Sequence, residues 1–192
     1  MSPARAKTTD DAILRAATRL VEEGGLEALT MQAVAATVGI RAPSIYKRLR
    51  DRAALVRAVQ ESVTSELAAE LRRVSVGDDA RTDLEAMADA YRAFARRHPG
   101  TYGLLFTALP DEMRVSAASN EAAVEPLFAA LASLVGDDRA GTLAAARLVV
   151  AFVHGFVSME LAGAFRLGGD VDAAWHSSVA TILDALARPR SA

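Results

Sequence analysis

The sequence predicts an all-α protein in two parts. Apolar residues recur at helical spacing through most of the 192 residues, and no stretch keeps the alternation of apolar and polar side chains that is typical of β-strands. Glycine and proline cluster where one periodic segment gives way to the next. The predicted parts are residues 8–68 and 75–190, and Gly77 with the two aspartates after it marks the boundary between them.

The helix limits follow from these breaks. A glycine pair at residues 24–25 ends a first helix that begins at Thr9 or Asp10 and buries one apolar stripe. Residues 111–120 indicate either a helix start or a surface loop, and Pro126 lies either near the start of its helix or at a kink. Further helices are predicted over residues 51–74, 80–98, 101–109, 121–135, 138–167 and 171–188.

Composition restricts the class of protein. A hydrophobic content of 52% is typical of a folded globular chain. The absence of cysteine excludes disulfides and thiolate metal sites, and it fits a reducing cytoplasm, which is the expected location. Residues 1–10 are polar, so we expect no signal peptide. The most apolar segment, residues 143–164, contains polar and charged side chains, which favours a buried helix over a membrane span.

Charge is divided unevenly along the chain. Residues 1–57 hold ten Lys and Arg against six Asp and Glu, a net charge of +4, whereas residues 58–192 carry −6. The positive charge of residues 1–57 suits an anionic partner, and such a partner would repel the acidic residues 58–192. The excess is smaller than in domains whose composition alone indicates nucleic-acid binding.

The stretch from residue 30 to residue 51 predicts two short helices joined by a tight turn. Thr30 is a good N-cap, Gly39 can adopt the left-handed conformation that ends a helix, and Pro43 suits the first turn of a new one. This is the layout of a helix-turn-helix, whose second helix enters the major groove of DNA. An ordinary helical hairpin with a solvated basic face fits the same spacing equally well.

The second of these helices has one apolar and one polar face. Ile45 and Leu49 lie four residues apart and are predicted to face the core. A phenol and three cations are then available to phosphates: Tyr46, Lys47, Arg48 and Arg50.

The stretch resembles the DNA-binding region of the TetR/AcrR family of transcriptional regulators, and the resemblance extends over residues 9–60. Leu49 stands where an aromatic residue is usual in that family, and Arg48 stands where histidine is frequent. The shared features are an opening threonine, a hydrophobic-Ala pair, a Gly-hydrophobic turn and a Ser-hydrophobic-Tyr core, here Thr30, Val34-Ala35, Gly39-Ile40 and Ser44-Ile45-Tyr46.

The resemblance implies about nine helices, of which the first three form a helix-turn-helix DNA-binding domain and the rest a ligand-binding and dimerisation domain. It also implies roles for individual side chains. The candidates for reading bases are Gln32, Arg41, Ala42, Pro43, Ser44 and Lys47. The candidates for binding phosphates are Thr30, Tyr46, Arg48 and Arg50.

Two motifs in the second part resemble the C-terminal domain type named for a Trp-His-Gly signature, although its tryptophan has no clear counterpart here. They are Arg92-x-Phe94-x-x-x-x-His98-Pro99-Gly100-x-Tyr102 and His154-Gly155-x-x-Ser158-x-Glu160. In that family the last two helices of each subunit pair into a four-helix bundle, so the resemblance implies a homodimer. The long apolar helix agrees, because one subunit cannot cover so much hydrophobic circumference.

A small-molecule site is predicted among aromatic and thioether side chains, which either line a pocket or simply form the core. His154 is in the same way either a buried, hydrogen-bonded histidine or a polar ligand contact. No His-x-x-x-His pair exists, so neither a metal site nor a cofactor is expected. The candidate ligand-binding residues are Tyr91, Phe94, Tyr102, Phe106, Met113, Phe128, Phe152, His154 and Phe156.

We therefore expect a cytoplasmic homodimer that binds a roughly palindromic DNA operator and represses transcription until an unknown small molecule releases it. Two heads about 34–36 Å apart would read successive major grooves. The alternatives are a DNA-binding regulator without a ligand, and a helical small-molecule-binding protein or enzyme. The sequence contains no phosphate loop, His-Glu-x-x-His motif or nucleophile elbow, so no enzymatic activity and no membrane partner are expected.

Overall fold

The computed structural model describes residues 10–77, 79–136 and 138–188, and this part of the chain contains only helices and loops. The all-α prediction is confirmed. Thr9, Asp78, Asp137 and the predicted domain limits at residues 8 and 190 lie outside the described residues. The α-helices are α1 (Asp10–Ala28), α2 (Met31–Thr37), α3 (Ala42–Tyr46), α4 (Arg52–Val74), α5 (Ala80–Arg97), α6 (Pro99–Phe106), α7 (Ala117–Val135), α8 (Arg139–Leu161) and α9 (Val171–Ala187). A 3₁₀ helix covers Asp111–Met113.

The helices form two compact units that are discontinuous in sequence. The first unit comprises the described residues up to Ser65 together with His98–Asn120, and the second comprises Glu66–Arg97 together with the described residues from Glu121 onward. Helix α4 therefore contributes to both units. Helix α6 and the 3₁₀ helix belong to the first unit together with the N-terminal helices. Helix α5, which directly precedes α6 and ends at Arg97, belongs to the second unit.

The core of the first unit is built from the apolar stripes that the helical spacing predicts. Ile13, Ala17 and Val21 of α1 are almost completely buried, which confirms the stripe of the first helix. The next three helices contribute further buried side chains to the same unit, among them Val34, Ile45, Leu55 and Val59.

Helix α1 is interrupted where the glycine pair predicts its end. Gly25 has a non-helical backbone (φ 66°, ψ −169°), so the regular first segment of α1 ends at Gly24 as predicted. A short second segment, which was not predicted, follows this kink and continues to Ala28.

Helix α6 begins earlier and ends earlier than predicted. Helix α5 ends at Arg97, so the predicted break before Pro99 is confirmed. Pro99 lies in the first turn of α6, where a missing N–H is tolerated, and α6 therefore starts at Pro99 instead of residue 101. The carboxylate of Glu22 on α1 caps this end: Oε1 accepts from the Gly100 N–H at 3.0 Å, and Oε2 accepts from the Thr101 N–H at 3.0 Å and from its hydroxyl at 2.9 Å.

Gly100 also brings the backbones of α1 and α6 into direct contact. A Cβ at residue 100 would lie 2.7 Å from the Cα and carbonyl oxygen of Glu22 and from the carbonyl oxygen of Val21. Only glycine fits such an approach without moving one of the helices. The start of α6 is thus fixed to α1 by packing and by the Glu22 cap together.

In the second unit, a buried arginine joins α5, α8 and α9. The side chain of Arg92 is 7% exposed and donates to both carboxylate oxygens of Glu160, from Nε at 2.8 Å and from Nη2 at 2.6 Å. Nη2 also lies 2.7 Å from the carboxylate of Asp172. The hydrogen bond to Glu160 raises the pKa of Arg92 against the opposing effect of burial. This ion pair connects the two sequence motifs of the second part.

Aromatic rings surround the same guanidinium. Its carbon lies 5.2 Å from the ring centroid of Trp175 and 5.8 Å from that of Phe156, within the range of cation–π attraction. Trp175 is fully buried, and its indole N–H donates to Asp89 at 2.6 Å. The tryptophan of α9 therefore anchors that helix against α5 and α8.

Two further helix limits differ from prediction. Helix α7 starts at Ala117, since Ser116 Oγ accepts from the Ser119 N–H at 3.1 Å, and Pro126 lies buried inside the helix. Helix α8 ends at Leu161 instead of residue 167, because Gly163 (φ 63°) adopts the left-handed conformation that ends a helix. The start of α7 therefore corresponds to the first alternative for residues 111–120, a helix start, whereas the predicted end of α8 at residue 167 was wrong.

By length and composition, α8 could cross a membrane, and it is the one such helix in the part of the chain that the structure describes. Core helices of soluble proteins pass the same test, so one such helix is weak evidence for a span. Only 33% of its most apolar window is buried, which leaves much of α8 uncovered within this chain.

Candidate nucleic-acid interface

The predicted helix-turn-helix is confirmed in its local geometry. The hydroxyl of Thr30 accepts from the Ala33 N–H at 3.1 Å and caps α2. Gly39 has a φ of 72°, and the Ile40 N–H returns to the Ala35 carbonyl at 3.0 Å. The turn between α2 and α3 is thereby closed by a backbone hydrogen bond.

Helix α3 is short and is anchored by one side chain. It covers Ala42–Tyr46 with Pro43 in its first turn, as predicted, and its entry is closed by a bond from the Ser44 N–H to the Arg41 carbonyl at 2.8 Å. Ile45 is fully buried, so the opposite face of α3 turns outward.

The exposed side chains around α3 form one surface, which we term the recognition surface. Tyr46 is 54% exposed, unusual for a large aromatic side chain. Ala42 is half-buried, and Thr30 and Gln32 of the neighbouring segment are exposed. The recognition surface consists of Arg41, Pro43, Ser44, Tyr46 and Lys47.

The two arginines that follow α3 have carboxylate partners. Arg48 Nη1 forms an ion pair with Asp10 Oδ1 at the start of α1. Arg50 Nε donates to Asp51 Oδ2 at 2.8 Å. Hydrogen bonds from the Ala54 N–H and then from Arg50 lower the pKa of Asp51, which keeps that carboxylate charged. The pairing with Asp10 has no signal in local sequence, because the two residues are 38 positions apart.

Leu49, where the family usually has an aromatic residue, is half-buried. It lines a cavity of about 240 Å³ next to the ion pair of Asp10 and Arg48. Other apolar walls of this cavity come from Ile13 and Leu14 of α1. Leucine is smaller than the aromatic residue usual at this position, which is compatible with the open volume beside it.

None of the cavities described for residues 10–77, 79–136 and 138–188 brings the candidate ligand-binding residues together. Phe94 and Tyr102 are almost fully buried, and Phe152 and Phe156 pack on Trp175 at centroid distances of 6.0 and 5.2 Å. Met113, Phe128 and His154 are half-buried. Tyr91 and Phe106 line two different cavities.

The two cavities differ in chemistry. The one in the first unit measures about 250 Å³, includes Phe106, and is lined by hydrogen-bonding side chains such as Thr64, Arg114 and Asn120. The one in the second unit measures about 50 Å³ and is apolar, with Tyr91 at its wall. The 250 Å³ cavity approaches the size of drug-binding pockets, whereas the 50 Å³ cavity has room for only a few water molecules.

Gln60 supports the larger cavity and had no signal in the sequence. It is 5% exposed, donates through Nε2 to the Leu104 carbonyl at 2.9 Å, and accepts from the Val115 N–H at 3.2 Å. This one buried amide therefore holds α4, α6 and the segment before α7 together.

His154 lies on α8 near Ser158, whose hydroxyl is 3.4 Å from Nδ1. Burial lowers the pKa of His154, which favours the neutral form of the ring. Across the described ranges, no three His, Asp or Glu side chains are grouped so as to hold a metal ion.

Two family models match the chain. Residues 13–59 match the bacterial regulatory proteins of the tetR family, and residues 84–182 match the tetracyclin repressor-like C-terminal domain. The second match alone covers more than half of the chain.

Relatives agree with these matches. An uncharacterised HTH-type transcriptional regulator of Mycobacterium tuberculosis is 34% identical over 161 residues, covering 82% of this chain and 72% of the relative. A protein of unknown function from Rhodococcus sp. RHA1 has a TM-score of 0.78 at 24% identity, covering 98% and 100% of the two chains. A TetR variant from Acinetobacter baumannii AYE, in complex with minocycline, has a TM-score of 0.70 at 20% identity, covering 97% and 100%. The chain therefore belongs to the TetR family: it is a transcriptional regulator with a helix-turn-helix DNA-binding domain, and not an enzyme.

Proposed function

We propose that this regulator is a cytoplasmic homodimeric repressor that binds a roughly palindromic DNA operator and is released from it by a small molecule. The observation that carries the DNA contact is the outward face of α3. With Ile45 buried beneath it, the helix turns Arg41, Pro43, Ser44, Tyr46 and Lys47 to solvent.

The recognition surface has the chemistry of a groove-binding element. The N-terminal end of a recognition helix meets base edges, so Arg41, Pro43 and Ser44 are our candidates for base contacts, with Ala42 behind them. Gln32 of α2 extends this set. Lys47 is placed to reach either a base or a phosphate. Thr30, Tyr46, Arg48 and Arg50 are the phosphate candidates, since phosphate contacts fix the register of the protein on the duplex.

Lys47→Ala should weaken binding to specific and random duplexes alike and should flatten the salt dependence. If Lys47 neutralises one phosphate, the slope of log K against log salt falls in magnitude by about 0.9. Fluorescence anisotropy at several salt concentrations measures this slope. Arg73→Ala removes the same charge from an exposed site at the end of α4 and should leave the slope unchanged. If the slope is unchanged in Lys47→Ala, Lys47 does not contact a phosphate.

A second copy of the chain is our candidate for covering α8. One face of α8 presents apolar and small side chains to solvent: Ala144, Leu148, Ala151 and Met159, with half-buried Gly155 between them. A Cβ at Gly155 would meet nothing within 4 Å inside this chain, so its small size is not needed for internal packing. Small residues let another helix approach closely, and the α8 face thus suits a symmetric helix–helix interface.

Leu148→Arg should break the dimer. Leu148 is 49% exposed in the chain, so the change should leave the subunit folded while it places two unpaired charges in the interface. We expect the dimer dissociation constant to rise at least tenfold, about 1.4 kcal/mol, in analytical ultracentrifugation. Val76→Arg is the control, because Val76 is 70% exposed in the loop between α4 and α5. A dimer that tolerates Leu148→Arg would contradict the proposed interface.

Dimerisation would allow the regulator to recognise an operator with two half-sites. A helix of five residues can contact only a few base pairs, whereas two of them, about 34–36 Å apart, read two half-sites on one DNA face. Selection of bound duplexes from a random pool should therefore return inverted repeats. A protein that stays monomeric on DNA, or that ignores every duplex at low salt, would contradict the proposed function.

We place the effector in the polar cavity of the first unit, next to Phe106 and Asn120. A ligand there would contact Gln60, the side chain that joins α4, α6 and the segment before α7. Coupling between ligand and DNA requires a difference in ligand affinity between two states, typically about 1–3 kcal/mol. Thermal shift against a small-molecule panel, followed by anisotropy with the same compounds, tests this. Compounds that stabilise the protein without releasing DNA would favour a ligand-independent regulator.

A further inference from the structure

The ion pair between Asp10 and Arg48 places a carboxylate on a proposed phosphate-binding side chain. Asp10 is the first residue of α1, and Arg48 follows α3 directly after Lys47. The Asp10 side chain is 80% exposed and that of Arg48 is 33% exposed, so solvent and a ligand can reach the pair. It lies at the edge of the cavity that Leu49 lines.

We propose that Asp10 occupies the place of a DNA phosphate on Arg48 and so lowers the affinity of the regulator for DNA. Carboxylate and phosphate oxygens offer a guanidinium the same kind of charge-assisted hydrogen bond. Arg48 can therefore bind DNA only by exchanging Asp10 for a phosphate, or by holding a phosphate beside the Asp10 charge. Either route weakens the contact. This inference rests on the proposed phosphate role of Arg48.

The neighbouring residue provides a matched control. Asp11 carries the same charge, lies in the same first turn of α1 and lines the same cavity. Unlike Asp10, it forms no ion pair within the described residues. Neutralising Asp11 thus measures the general effect of removing one negative charge near the DNA, and neutralising Asp10 measures that effect plus the loss of the ion pair with Arg48.

The test compares Asp10→Asn, Asp11→Asn, Arg48→Gln and the double variant Asp10→Asn/Arg48→Gln. A random-sequence duplex at low salt serves as the probe, because phosphate contacts are independent of sequence. From the energy of an exposed ion pair, we expect Asp10→Asn to tighten binding by about two- to fivefold more than Asp11→Asn does. In the Arg48→Gln background, Asp10→Asn should have no more effect than Asp11→Asn has in the wild-type chain.

Other results are equally decisive. If Arg48→Gln weakens binding but Asp10→Asn matches Asp11→Asn, the inference fails while the proposed DNA contact stands. If Asp10→Asn weakens binding, the pair serves to position Arg48 on DNA, and the inference is overturned. If Arg48→Gln binds DNA as the wild type does, the phosphate role and the inference fall together. Thermal unfolding of each variant checks folding, and Asp10→Ser replaces Asp10→Asn if the latter is destabilised.

Discussion

Arg92→Ala should lower the free energy of unfolding by about 3–5 kcal/mol, the usual effect of removing one partner of a buried ion pair. Arg92 is 7% exposed and balances Glu160, which is itself 18% exposed, as well as the more exposed Asp172. Alanine would leave the Glu160 carboxylate without its bidentate partner and remove the cation from the rings of Phe156 and Trp175. Chemical denaturation at one fixed protein concentration measures the change, since dimerisation also contributes to apparent stability.

Arg96→Ala is the matched control for this change. Arg96 lies one turn further along α5, approaches Glu160 and Asp172 only at 3.9 Å, and is 55% exposed. Surface substitutions of this kind shift stability by no more than about 0.5 kcal/mol. Equal losses in Arg92→Ala and Arg96→Ala would mean that general charge balance, rather than the buried pair, holds α5, α8 and α9 together.

Gly100→Ala should have the second largest effect, a loss of about 1–3 kcal/mol, as is typical when an atom is forced into a packed site. The added methyl group would lie 2.7 Å from backbone atoms of Val21 and Glu22, and a backbone cannot rotate away as a side chain can. We expect α6 to move off α1 and the hydrogen bonds from Gly100 and Thr101 to Glu22 to be lost. The melting temperature should fall by several degrees in differential scanning calorimetry.

Gly103→Ala tests whether this loss comes from the contact or from the helix. A Cβ at Gly103 meets nothing within 4 Å, and the residue lies in the same helix, α6. Alanine there should be neutral or stabilise the helix by up to about 1 kcal/mol. A Gly100→Ala variant that unfolds as Gly103→Ala does would show that α1 and α6 are not in close contact in solution.

Local signals in the sequence were sufficient for the helix-turn-helix. The cap at Thr30, the left-handed Gly39 and the first turn at Pro43 each depend on residues within one turn of the helix, and all three were predicted. Helix α4, read from Asp51 to Val74, was predicted for the same reason. Propensities and caps act over three or four residues, so they are visible in the chain itself.

Contacts between residues that are far apart in the chain could not be predicted from the sequence. The start of α6 at Pro99 was not predicted, because the carboxylate that caps it, Glu22, lies 78 positions before Gly100 in the chain. The aromatic candidates for a ligand site could not be sorted into core and cavity, since burial of Phe94 and exposure of Phe106 depend on which helices meet. Asp10 was predicted only as a start of the first helix, since nothing near it in sequence indicates a partner at Arg48.

The attachment of α6 to α1 bears on how such regulators can be recombined. A chimaera joined at residue 68 would take its first helix from one parent and its α6 from another, and Glu22 would then face a foreign Gly100 and Thr101. A transplant that also carries residues 98–120 keeps both sides of this contact from one parent. The exchangeable module of this protein is therefore two pieces of chain rather than one.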